Sequence, residues 1–240
     1  MKQILNEKIG DLAIESFSFI QLFQKHKVDF YCEGNLMLKK ALNNAEIDVD
    51  MFLKEFTELQ IQKKYLYNVK IDQWPLDLLA DYIQKTHHRY TDHILVDIKN
   101  AVHEYLSNNQ KIDETMLAFK EQIELLAKEL GGHMKKEELI LFPYIRKMIA
   151  TRGGMDKPRF ESVENPIDMM IHEHNTAFLL LKNIRLIFKN YETNDVDSIK
   201  KNEIKLLMND LDHDLTLHLH LENNILFPKV IEFEKNKLFL

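Results

Sequence analysis

His133-Met-Lys-Lys-Glu137-Glu-Leu-Ile-Leu141-Phe142-Pro143 and His218-Leu-His-Leu-Glu222-Asn-Asn-Ile-Leu226-Phe227-Pro228 are two copies of one phrase, 85 positions apart. On a helix, residues four apart share a face and stand about 6 Å apart along the axis. Each phrase therefore stacks an imidazole over a carboxylate. An isolated His-x-x-x-Glu is ordinarily a solvated pair on a helix surface. Here both copies run into Leu-Phe-Pro, an apolar end that places this part of each helix in a packed environment. Ionisable groups turned inward without partners cost on the order of several kcal/mol, so the duplicated pairs need a common charge to coordinate.

Outward from these phrases the chain reads as helix. Six glycines and five prolines are few for 240 residues, and strands of alternating Val, Ile and Thr are nearly absent. Four long helices are expected, at about Pro75–Ser107, Asp113–Ala150, Asn165–Tyr191 and Asp195–Glu234. The breaks between them, at Asn108–Lys111, Thr151–Pro158 with Gly153-Gly154, and Glu192–Asn194, are short enough to force antiparallel neighbours. The fold class is thus all-α, an up-down four-helix bundle. His88 on the first helix and His174 on the third are 86 apart, nearly the spacing of the two phrases. The bundle reads as two pseudo-symmetric hairpins, each giving one lone His and one His-x-x-x-Glu pair.

Ahead of the bundle, residues 1–60 read as a small helical domain, with helices at Ile9–Lys25, Leu36–Asn44 and Asp48–Leu59, the last capped by Asp48. Periodicity fades over 61–74, read as a linker, and Pro75 suits the first turn of the bundle domain, 75–240. A formal charge of −6 with both signs mixed gives no basic stripe for nucleic acid or an anionic membrane. No run approaches a membrane span, the first twenty residues have no apolar signal core, and the single cysteine, Cys32, suits a reducing compartment. A cytoplasmic protein is expected.

Neutral imidazoles and carboxylates are ligands of iron, zinc and manganese, and bundle cores build such sites from facing helices. Four His and two Glu would suit two ions bridged by carboxylates. Spacing alone does not choose between His88 and its neighbour His87, or between His174 and His172. His93, His103, His213 and His220 are read as surface residues or partners of ligands. Glu129, one turn before His133, and Glu173, beside His174, are either carboxylates that bond ligands and carry protons or solvated glutamates. Gly131-Gly132 marks either a local helix break or clearance for a small ligand. No thiolate can join the bundle site, and six N/O ligands suit two irons better than one closed zinc site.

With Asp29-Phe-Tyr-Cys32-Glu-Gly34 ahead of Thr86-His-His88, His133-x-x-x-Glu137, Glu173-His174 and His218-x-x-x-Glu222-Asn-Asn-x-Leu-Phe-Pro228, the chain resembles the RIC (repair of iron centres) family of di-iron proteins over essentially its whole length. The resemblance implies a hemerythrin-like bundle holding two non-haem iron ions. Its ligands would be His88, His133, His174 and His218, with Glu137 and Glu222 bridging. It also implies repair of iron–sulfur clusters damaged by nitric oxide or oxidants, iron–sulfur proteins as partners, NO or O2 as small ligands, and a homodimer. Two departures stand out. Where the family carries two adjacent cysteines, this chain has Tyr31 and Cys32, leaving one thiol that is reactive, at an interface or structural. Against oxygen carriers, Met170 and Phe178 flank His174 where a fifth histidine would stand.

Two mechanisms follow for the reduced centre. It reduces nitric oxide, an enzymatic di-iron nitric oxide reductase activity, or it donates iron to damaged clusters. The alternative is a hemerythrin-like binding module that senses or stores oxygen, NO or iron without catalysis.

Overall fold

A computed structural model describes residues 2–62, 70–109, 112–151, 160–189 and 198–237. Most of the linker read at 61–74, the Gly153-Gly154 break and the Glu192–Asn194 break lie outside the described residues. Two compact units divide the chain, one of Met1–Leu79 with Thr216–Leu240, the other of Ala80–Leu215.

In the first unit a short 3-10 turn, Lys2–Asn6, precedes α1 (Ile9–Glu15), α2 (Phe17–Lys25), α3 (Leu38–Asn44) and α4 (Val49–Gln62). The single helix expected over Ile9–Lys25 is two. Ser16 is extended, and its hydroxyl accepts from the Ser18 N–H at 3.3 Å. Serine competes for the backbone in this way and favours N-caps over helix interiors. Asp48 caps α4 as its position suggests, accepting from Met51 N–H at 2.8 Å. The core of this unit is aromatic. Phe23 lies 5.7 Å from Phe19, 5.5 Å from Phe30 and 5.9 Å from Phe52, ring centre to ring centre. The Asp29–Gly34 loop is built on Asp29, whose carboxylate accepts from the Cys32 N–H at 2.8 Å. It is pinned to α1 by Gly10 N–H donating to Gly34 O at 2.9 Å.

The long helices follow: α5 (Leu76–Tyr82), α6 (Arg89–Asn108), α7 (Glu114–Lys136), α8 (Phe142–Ala150), α9 (Glu164–Lys189), α10 (Ser198–His220) and α11 (Phe227–Lys237). Three wider π turns, Ile83–His88, Glu137–Leu141 and Leu221–Leu226, join α5 to α6, α7 to α8 and α10 to α11. The long segments fall where the periodicity puts them; the π turns were not expected. Helix α7 runs through Gly131 and Gly132 unbroken. A Cβ at either would meet nothing within 4 Å, so no packing contact demands a glycine.

Within the second unit α7 packs against α6 and α9. Its core is aliphatic, with Ile98, Ile123, Leu126, Leu181, Ile184 and Leu211 withdrawn from solvent. The Ser198–Leu215 part of α10 is tied to the same bundle by ion pairs. Lys200 meets Glu104 of α6 at 2.6 Å, and Arg185 of α9 grips Asp212 with both Nε, at 3.0 Å, and a terminal nitrogen. Asp212 is buried, so losing it strands a guanidinium at a packed interface. Asp212→Ala should destabilise the metal-free protein by about 3 kcal/mol, lowering Tm by about 6–12 °C in a chain of this size. Replacing Arg185 and Asp212 together by leucine should cost less than the single change. Thermal denaturation of the three proteins measures both.

Candidate metal centre

Three residues expected as ligands meet in the second unit because three helix segments aim them at one point. His88 ends the first π turn, His133 lies in the last turn of α7, and Glu137 opens the second π turn directly after it. His88 Nε2 and His133 Nε2 each lie 3.3 Å from the same oxygen, Glu137 Oε2. His174 of α9 joins them, its Nε2 2.9 Å from His133 Nε2, and the donor atoms of His133, Glu137 and His174 all lie within 4.8 Å of one another. All four side chains are buried, Glu137 completely.

The outer ring nitrogens determine what these imidazoles offer. His88 Nδ1 is 2.8 Å from Glu138 Oε1, and His133 Nδ1 is 3.1 Å from Glu173 Oε2. A carboxylate there takes the Nδ1 proton as its hydrogen bond, which leaves Nε2 as a lone pair facing inward. Burial raises the Glu173 carboxyl, but hydrogen bonds from Lys136 and His133 outweigh it and hold the group below the usual carboxylate range. It thus stays an acceptor at neutral pH. Lone pairs of two imidazoles converge on a buried carboxylate oxygen, an arrangement of acceptors that a cation resolves. The set holds nitrogen and oxygen and no sulfur, which suits iron.

The second copy of the phrase keeps the same internal geometry in the first unit. His218 Nε2 stands 2.9 Å from Glu222 Oε1, and both side chains have no exposed surface. Every expected Glu ligand therefore sits on a π turn. Such turns admit one extra residue, bulging the helix and re-aiming side chains, and recur at functional sites.

Among the histidines that compete for a place, His172 is exposed, whereas His174 is buried. His87 is buried beside His88 but turns to Asp214, Nδ1 to Oδ1 2.9 Å. His93, His103 and His213 are exposed. His220 is not a surface residue: it is buried, its ring 5.2 Å from that of Phe30, and burial draws its pKa down to about 3. Glu173 bonds His133, while Glu129 is exposed on α7. Cys32 is half-buried in its loop; burial, then the nearby Asp29 and Glu33 carboxylates, push its thiol pKa up, so it stays protonated at neutral pH. Glu138 escaped the sequence reading. Its signal was there, as the residue after each repeated Glu is acidic in one copy and Asn in the other.

Residues 79–230 match the hemerythrin HHE cation binding domain, well over half of the chain. The chain belongs to the hemerythrin HHE cation-binding family. All six expected ligands fall inside the hemerythrin match, and residues 5–60 match a separate domain of unknown function, DUF542. Curated relatives share both parts. A protein of Edwardsiella ictaluri (strain 93-146) named "Iron-sulfur cluster repair protein YtfE" is 30% identical, covering 93% of this chain and 96% of the relative. One of the same name from Yersinia pseudotuberculosis serotype IB (strain PB1/+) is 27% identical, covering 95% and 98%.

In this hemerythrin domain Glu138→Ala should leave the helices intact and weaken metal binding by about 10- to 100-fold, since Nδ1 partners set ligand orientation and basicity. Glu129→Ala should leave it unchanged. Competition with a chelator of known affinity, with circular dichroism as the folding control, separates the two.

Proposed function

We propose that this chain is a di-iron protein that repairs damaged iron–sulfur clusters, with His88, His133, Glu137, His174, His218 and Glu222 as one ligand set. The observation that carries the reading is the Glu137 carboxylate, wholly buried and 3.3 Å from both His88 Nε2 and His133 Nε2. A carboxylate so placed suits a bridge between two ions rather than a ligand to one. The His218–Glu222 pair repeats the same spacing and geometry and completes the second half. The names of the relatives point to the same task, and iron–sulfur proteins are then the partners.

Bound there, two ferrous ions would supply electrons for nitric oxide reduction or a releasable iron for a depleted cluster. The chain's own part is to set how tightly that iron is held. Glu138 and Glu173 keep His88 and His133 in the tautomer that presents Nε2 and make those nitrogens more basic. Lys136, bonded to Glu173, keeps that carboxylate charged. Burial of every ligand keeps bulk water from competing with them.

The tests are metal content and transfer. Protein purified without added metal should carry about two irons per chain, as expected of carboxylate-bridged bundle sites, and Glu137→Ala and Glu222→Ala should each lose at least one. Unchanged content in both variants would rule out the shared ligand set. The loaded protein should then restore activity to a cluster enzyme inactivated by nitric oxide, and the metal-free protein should not. Equal failure of both, with iron retained, would point to a sensing or storage module instead.

A further inference from the structure

The two copies of the repeated phrase part company immediately after the glutamate. The first continues Glu138-Leu139-Ile140, and there Leu139 and Ile140 are 76% and 51% exposed. The second continues Asn223-Asn224-Ile225, and Ile225 is 3% exposed. Within the first unit that difference has a visible cause. Asn223 Nδ2 donates to Tyr31 O at 2.9 Å and Asn224 Nδ2 to Phe30 O at 3.0 Å. Both carbonyls belong to the Asp29–Gly34 loop, and both asparagines belong to the π turn that carries Glu222.

Asn224 is held in a fitted socket. Its amide group also meets His220 Nδ1 at 2.9 Å, and the His220 ring packs on Phe30. Its Oδ1 lies against Gly10 and Gly34: a Cβ on Gly10 would come within 3.1 Å of that oxygen, and one on Gly34 would collide with it. Two glycines facing each other across the Gly10–Gly34 backbone hydrogen bond thus leave room for one amide. Ordinary van der Waals packing would not call for this. A π turn departs from the helical register that the backbone otherwise prefers, so contacts outside the helix must keep it in place. For Glu222 those contacts come from the loop.

We propose that Asn223 and Asn224 are positioning residues through which the Asp29–Gly34 loop clasps the turn bearing Glu222, so that iron retention depends on the docked loop. The inference rests on the proposed role of His218 and Glu222 as ligands. It assigns the N-terminal segment a mechanical role that needs no second cysteine. Because coupling is reciprocal, what steadies the turn for iron is steadied in return when iron binds. A cluster protein that drew the loop away would loosen Glu222, and iron would leave at the moment a recipient was present.

The experiment uses the full chain loaded with ferrous iron. Release to an excess of ferrous chelator is timed for wild type, Asn223→Ala/Asn224→Ala and Gly34→Ala, the last acting from the loop side without touching the ligand helix. Each net hydrogen bond shifts such an equilibrium about five-fold, so the double variant should release iron on the order of ten-fold faster, and Gly34→Ala should do likewise. Circular dichroism and metal-free Tm separate this from global unfolding. Unchanged release from folded variants would overturn the clasp while leaving the metal centre standing. Should the variants not fold, hydrogen exchange of residues 29–36 in the wild type decides: slower exchange on iron loading supports the coupling, and identical exchange overturns it. A wild type that takes up no iron would overturn the metal reading and the clasp with it.

Discussion

A carboxylate with no exposed surface, Glu137, is the point on which this molecule turns. Stripping water from an ionised carboxylate costs several kcal/mol even after the protein relaxes, on the order of magnitude found for buried ions generally. Nothing in an aliphatic bundle offsets that cost. Around Glu137 the chain supplies imidazoles whose own protons are directed elsewhere, to Glu138 and Glu173, so the centre of the site collects lone pairs and negative charge. Packing, tautomers and peripheral ion pairs all become consistent once a cation is counted as part of the fold. Folding stability and metal affinity are then one quantity viewed from two sides.

Much of this was legible in the residues. The helices of the bundle could be placed because apolar periodicity persists over twenty or more residues, and the phrase His-x-x-x-Glu with Leu-Phe-Pro could be read because four residues span one turn. Where the reading fell short, the reasons are local. Ser16 splits the first helix because a serine side chain can replace a backbone partner, and a periodic apolar pattern passes over such a break without a trace. The π turns left no compositional mark, since they differ from α-helix by a count of residues rather than a kind. His220 was misplaced for a related reason. Its phase, taken relative to Glu222, excluded it from the ligand face, but the other side of that helix faces the aromatic core of the first unit rather than solvent.

The repeat shows how one solution can be reused with different surroundings. In both copies His and Glu keep a spacing of one turn and an internal contact of about the same length. Beyond the glutamate the first copy contributes Glu138 as a partner for His88, while the second contributes amides that engage a loop from a distant part of the chain. Identical ligand types are thereby held by different supports. Chemically similar halves of a metal centre need not be equally labile, and a protein that must both hold and surrender iron benefits from such inequality.

The π turns carry one more implication, which concerns length rather than identity. Each turn holds one residue beyond what an α-helix would need over the same rise. Deleting a single residue between Glu137 and Leu141 would let the segment close up as ordinary helix and rotate everything after it by about 100°, carrying Phe142, Ile145 and Met148 off the core. Substitution within these turns can be absorbed by repacking. A change in residue count cannot, so the spacing of the motif to its Leu-Phe-Pro tail is a ruler built into the chain, and the phase of the following helix is what it measures.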